Sequence, residues 1–116
     1  MVDDMSYTDI DVITANNMIN NGSYPNLIVL DVRTQSEYNK GHLENAFLIP
    51  LEELESRIDE LSQFKDTEIV VYCHIGHRSS EASRILDAQN FTKVYNVLNG
   101  ITAWETANYP IIVEPK

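Results

Sequence analysis

The run Cys73-His74-Ile75-Gly76-His77-Arg78-Ser79-Ser80 holds the residues best able to do chemistry. Cys73 follows Ile69-Val70-Val71-Tyr72, the most strand-like stretch of the chain, and a helix is expected straight after the loop. A loop of this kind, with a glycine inside it, can turn consecutive backbone N–H groups toward one point and form an anion nest. The N-terminus of the following helix adds positive potential there. Both effects favour thiolate over thiol, so Cys73 is expected to act as a nucleophile at neutral pH. No carboxylate lies between Tyr72 and Ser80, although 18 of the 116 residues are acidic, and an anion site needs that local relief. A lone cysteine is more often a small buried hydrophobe. Here position, glycine, arginine and helix start together argue for the reactive thiol.

The other polar residues of the loop have narrower roles. Arg78 is permanently charged and can hold the loop or bind an anionic donor. His74 and His77 would need a third ligand to make a metal site, and His42, the remaining histidine, is far away in sequence. No metal is expected, and the two imidazoles are read as lining the pocket mouth. With one cysteine, neither an intramolecular disulfide nor a Cys-rich zinc site can form.

The rest of the chain must position this loop. Hydrophobic residues make up 43% of it, with six Tyr, three Phe and one Trp, enough for the core of a single domain over residues 1–116 with residues 1–6 frayed. The net charge of −10 argues against non-specific nucleic-acid binding and against docking on an anionic membrane. The N-terminal residues Met-Val-Asp-Asp lack a basic and an apolar region, so no secretory signal is read, and the apolar runs are too short to span a bilayer. A small soluble domain, cytoplasmic and without membrane or nucleic-acid partners, is expected.

Tyr7 to Val12 reads as a short edge strand, and Thr14 as the N-cap of a helix ending near Asn20. Leu27-Ile28-Val29-Leu30 suits a strand buried on both faces. Thr34-Gln35-Ser36-Glu37 is a capping box opening a short helix that stops near Gly41. Ala46 to Ile49 reads as a second buried strand. Leu51, Leu54, Ile58 and Leu61 have helical spacing, and the acidic run Glu52-Glu53-Glu55 with Asp59-Glu60 reads as its solvated face. Ser79 or Ser80 is the expected cap of the next helix, followed by a strand at Val94–Val97 and a last helix carrying Trp104. The tail from Tyr109, with two prolines, is expected to lie extended over the surface. Strands alternating with helices imply an α/β fold with a mostly parallel sheet, and ligands at the carboxyl ends of its strands.

The loop from Cys73 to Ser79 resembles the active-site loop of single-domain rhodaneses, a family of sulfurtransferases. Asp31-Val32-Arg33, Glu37-Tyr38, Gly41-His42-Leu43, Asn45-Ala46, Pro50 and Leu98-Asn99-Gly100 with Trp104 resemble the family's further blocks in order, over nearly the whole chain. One departure is Ile101, where the family often has the second glycine of a pair. The resemblance implies a rhodanese-like fold, a central five-stranded mostly parallel sheet flanked by helices on both faces. It also implies that Cys73 takes the sulfane sulfur of a small anionic donor such as thiosulfate and carries it as a persulfide. Cyanide, a thiol or a partner protein then accepts the sulfur, with no cofactor. Loop N–H groups from His74 through Ile75, Gly76 and His77 to Ser79 would stabilise the sulfur anion, with Arg78 beside them.

Asp31 and Arg33 are read as braces more than catalysts: Asp31 accepting bonds from the loop, Arg33 pairing with Glu37. His42 is read as structural, and Phe47 and Trp104 as core. Three other functions compete. A Cys-dependent phosphatase or arsenate reductase is disfavoured, because those loops place five residues between Cys and Arg and only four separate Cys73 from Arg78. A non-enzymatic binding or sensing domain is expected to lack the cysteine. A sulfur carrier serving one dedicated partner shares the chemistry and differs in the acceptor.

Overall fold

The computed structural model describes residues 6–113. Of residues 1–6, expected to fray, the first five lie outside them, as do the last three of the tail, while Ser6 N–H donates to Asp87 Oδ2 at 3.2 Å. Five strands form one sheet in the order β1 (Thr8–Ile10), β5 (Val94–Val97), β4 (Ile69–Tyr72), β2 (Ile28–Asp31) and β3 (Phe47–Leu48). All four pairings are parallel, with Asp31 opposite Tyr72 and Val71 opposite Asn96. The central strand β4 is buried along its whole length, as its unbroken apolar run requires.

Helices cover both faces. Helix α1 (Val12–Asn20) and helix α5 (Gly100–Thr106) bury Ala15, Met18, Ile101 and Trp104 against Val29, Val70, Tyr72 and Val97. Helix α3 (Leu51–Arg57), the 3-10 helix Ile58–Phe64 and helix α4 (His77–Ala88) bury Leu54, Leu61, Ala82 and Leu86 against Leu30, Ile69, Val71 and Val94. Period-two alternation sets the rest: Val70 and Tyr72 point to the first layer, and Ile69, Val71 and Cys73 to the second. Helix α2 (Gln35–Lys40) carries the expected capping box, with Thr34 Oγ1 accepting from Glu37 N–H and Glu37 accepting from Thr34 N–H.

Several elements differ from expectation. The strand β1 stops at Ile10, and Asp11, not Thr14, caps α1, its Oδ1 accepting from Thr14 N–H at 2.8 Å. Carboxylates and hydroxyls both cap, and the first of the two in the chain prevailed. The second buried strand shrinks to Phe47-Leu48 at a sheet edge, where Phe47 has no strand beyond it and is 39% exposed instead of core. The stripe from Leu51 to Leu61 tightens into 3-10 geometry after Arg57. The solvated acidic face stands as read: Glu52, Glu53, Glu55, Asp59 and Glu60 are exposed. The tail is pinned by an antiparallel bridge between His42 and Ile112 and by a 2.8 Å bond from Trp104 Nε1–H to Pro110 O.

Candidate active site

Cys73 is the first residue beyond β4, and its side chain is 1% exposed. Gly76 sits at the N-cap of α4 with φ +119°, a conformation that side chains disfavour, and no side chain caps the helix. That turn aims Gly76 N–H at Cys73 Sγ, 3.1 Å away. Ser79 is not the cap. It lies inside the first turn, wholly buried, with Oγ 3.5 Å from Cys73 Sγ and its hydroxyl donating to Gly76 O at 3.2 Å.

The outer side of the loop is fixed by α5. Ile101 N–H donates to Cys73 O at 2.9 Å and Thr102 N–H to His74 O at 3.2 Å. These two bonds tie the Cys73 and His74 carbonyls to α5, on the N-terminal side of the Gly76 N–H that meets the sulfur. Gly100 makes the approach possible. It has φ +51°, and a Cβ there would stand 2.3 Å from Cys73 O and 2.6 Å from His74 O. The departure at Ile101 leaves this contact intact, since Ile101 buries its side chain in the core.

Arg78, one residue inside α4, forms two parallel bonds to Glu37, Nη1 to Oε1 at 2.7 Å and Nη2 to Oε2 at 2.9 Å. Thr34 N–H and Thr34 Oγ1–H also donate to Glu37 Oε1, at 3.0 and 3.1 Å. The Arg78 guanidinium holds the Glu37 carboxyl down at about 2. Glu37 in turn pushes Arg78 up. The expected pairing of Glu37 with Arg33 is therefore corrected: Glu37 belongs to Arg78, and Arg33 belongs to Asp31.

Arg33 and Asp31 are both buried and bonded at 2.7 Å, and Arg33 Nη2–H also donates to Gly41 O. Tyr72 O–H donates to Asp31 Oδ2 at 2.6 Å and accepts from Leu43 N–H at 3.1 Å. Burial and the Asp31 carboxylate push the Tyr72 phenol far up, so it stays a donor. Asp31 thus takes its bonds from Arg33 and Tyr72, not from the active-site loop. The reason is the pleat: Asp31 shares the Val29 face of β2, opposite the face to which Cys73 points.

His74, Ile75 and His77 are exposed at the mouth, Ile75 by 48%. An open groove of about 310 Å³ beside the loop is lined by Arg33, Glu37, Lys40, His74 and Glu105. His42 is buried, bonded through Nδ1 to Leu43 O and stacked on Tyr38 at 3.8 Å. Among the described residues no three of His, Cys, Asp and Glu are grouped as a metal site needs, and no helix is long and apolar enough to cross a membrane. Trp104 is core as expected, 5% exposed. The close approach of Gly100 to the loop and the Glu37–Arg78 pair are the site features that sequence reasoning did not place.

The rhodanese-like domain family model matches residues 12–107. A sulfurtransferase of Allochromatium vinosum is 33% identical over 86 residues, covering 74% of this chain and 78% of that protein. The candidate sulfur carrier YrkF of Bacillus subtilis is 44% identical over 78 residues, covering 67% of this chain, which spans only 41% of YrkF's length. The crystal structure of a rhodanese-related protein from Thermoplasma volcanium superposes with a TM-score of 0.78 at 30% identity, covering 93% of this chain and all of that one. The five parallel strands, the helices on both faces and the matched span agree: this chain belongs to the rhodanese-like domain family.

Proposed function

We propose that this chain is a sulfurtransferase in which Cys73 takes a sulfane sulfur from a donor, holds it as a persulfide, and gives it to a nucleophilic acceptor. The observation that carries the reading is the 3.1 Å contact from Gly76 N–H to Cys73 Sγ at the start of α4. A backbone donor and a helix N-terminus both stabilise negative charge on sulfur. Attack on the donor's outer sulfur forms the new S–S bond, and the donor's remainder leaves with the electron pair. Cyanide, a thiol or a partner's cysteine then attacks the outer sulfur and returns Cys73 as thiolate. Ser79 Oγ lies within reach of the sulfur and can turn its hydroxyl toward it when the thiol proton is gone. Arg78 braces the loop against α2 through Glu37.

Phosphoryl transfer needs a proton donor for the leaving group. The acid standing beside Arg78 is Glu37, and with its carboxyl held at about 2 it is ionised at neutral pH. This supports sulfur over phosphoryl chemistry. The test is intact-mass measurement after incubation with thiosulfate, with and without cyanide. A one-sulfur adduct that cyanide removes is expected, absent from Cys73→Ser, which keeps the size of the side chain and should fold. Turnover by Cys73→Ser, or aryl-phosphate hydrolysis matching sulfur transfer in the parent, would overturn the reading.

A further inference from the structure

The two arginines at the carboxyl end of β2 and the start of α4 are each matched by a carboxylate. Arg78 is held by Glu37 through two bonds, and Arg33 by Asp31. Lys40 and Glu105, both exposed on the groove beside His74, bring one charge of each sign. His74, Ile75 and His77 bring no permanent charge. The site thus offers the Gly76 N–H and the start of α4 without a net cation, in a chain of net charge −10. Glu37 is also fixed in place, since Thr34 donates twice to the carboxylate that meets Arg78.

Donors differ in the charge they bring to such a mouth. With thiosulfate, the Cys73 thiolate attacks the outer sulfur, the S–SO₃ bond breaks, and sulfite leaves as a dianion with the electron pair. Three negative charges are gathered at the loop throughout. With an organic hydropersulfide, R–S–S–H, the thiolate attacks the terminal sulfur, which keeps its proton. The S–S bond breaks, and R–S⁻ leaves with the pair. One negative charge is gathered when the hydropersulfide reacts protonated and two when it arrives ionised, against three for thiosulfate, and in both cases the sulfane sulfur moves with no net oxidation or reduction.

Resting on the sulfurtransferase reading, we propose that Glu37 makes this site selective for organic hydropersulfides over thiosulfate, by cancelling the charge of Arg78 where a dianionic donor must approach. Like charges brought together in a partly desolvated mouth are strongly selected against. Glu37 acts through Arg78 and is a specificity-determining residue, not a catalytic one.

The test is the rate of Cys73 loading, read as the one-sulfur adduct by quenched intact-mass measurement, with thiosulfate and with the hydropersulfide of 2-mercaptoethanol as donors. Glu37→Gln keeps an acceptor for Thr34 and removes the charge. It should shift the ratio of thiosulfate to hydropersulfide loading about tenfold toward thiosulfate. Taking the ratio removes each donor's intrinsic reactivity and any general loosening of the loop. Glu37→Asp keeps the charge and should hold the parent's ratio even if both rates fall. A ratio unmoved by Glu37→Gln, or a parent that loads from thiosulfate faster than from the hydropersulfide, would overturn the selectivity and leave the sulfurtransferase reading standing. An adduct from neither donor would overturn both.

Discussion

Asp31 and Tyr72 stand opposite each other across the β2–β4 ladder, and the Tyr72 hydroxyl donates to Asp31 Oδ2 at 2.6 Å on the face of the sheet turned away from Cys73. Tyr72 and Cys73 are neighbours in the chain, yet one braces the α1–α5 layer and the other faces α4. The same end of the sheet thus carries a structural network on one side and the candidate nucleophile on the other. The Arg33 guanidinium lies 5.4 Å from the Tyr72 ring centroid and closes the network with its bond to Gly41 O.

Tyr72→Phe tests this separation. It removes a donor from a buried carboxylate and leaves Leu43 N–H without its acceptor. A loss of about 2 kcal/mol of stability is expected from such a charged hydrogen bond. Denaturant titration reads that loss. The loading rate of Cys73, measured where the variant is fully folded, should be retained. A rate that collapses while stability holds would place Tyr72 in the reaction.

Gly100→Ala tests the loop's outer wall. The added Cβ would meet two backbone carbonyl oxygens, of Cys73 and His74, and backbone cannot swing aside as a side chain can. The positive φ adds strain of its own. About 1–3 kcal/mol of destabilisation is expected, with a fall in sulfur loading because the loop that aims Gly76 N–H must shift. Thermal unfolding and the adduct assay check both. A variant as stable and as active as the parent would show that the loop does not depend on this close approach.

Much of this was legible in the chain. Unbroken apolar runs at Ile28–Leu30 and Ile69–Tyr72 announced central parallel strands, because a strand covered on both faces has no polar side to alternate with. The capping box at Thr34 and Glu37 is local, so both its bonds follow from four residues. Cys73, Gly76 and Arg78 stood out because nucleophile, turn and cation lie within one loop. The partner of Arg78 did not, for Glu37 is 41 residues away and meets it only after β2 and β4 pair in register. Arg33 chose Asp31 over Glu37 because Asp31 is buried beside it, a difference of depth that sequence spacing does not carry. Phe47 reads as core by type and is exposed by its place at an edge.

The Glu37–Arg78 pair predicts an acid limb of stability. The carboxyl lies at about 2 in the folded chain against an ordinary value of 4.5, chiefly through Arg78. A carboxyl lowered by folding stabilises above its unfolded value and loses that contribution as pH falls through the folded one. The parent should therefore exceed Glu37→Gln in stability at neutral pH, and the gap should close between about pH 4.5 and pH 2. The pair is a third exposed, so the gap is a fraction of that for a buried pair. Paired urea titrations down this range measure it, and a gap independent of pH would contradict the assignment.

The last expectation concerns charge at long range. The chain carries −10, and its loop cation is cancelled by Glu37, so a thiosulfate dianion is repelled until it reaches the Gly76 N–H and the start of α4 at contact. Contact dipoles act where water is partly excluded, whereas the net charge acts across the Debye length of about 10 Å at 0.1 M salt. Added salt therefore screens the repulsion first. The thiosulfate kcat/KM should rise modestly from low to moderate ionic strength, and the same experiment with an uncharged sulfane-sulfur donor, such as an organic trisulfide, should give a flat line. Arg78→Lys keeps the charge but replaces the two-bond fork to Glu37 with a point contact. It should lower the rate by loosening the loop while keeping the upward salt trend, because the net charge is unchanged. Initial rates in an inert salt at fixed pH decide the matter. A thiosulfate rate that falls steadily from the lowest salt would mean attraction governs at every range, and a repelling surface around a neutralised mouth would be the wrong picture.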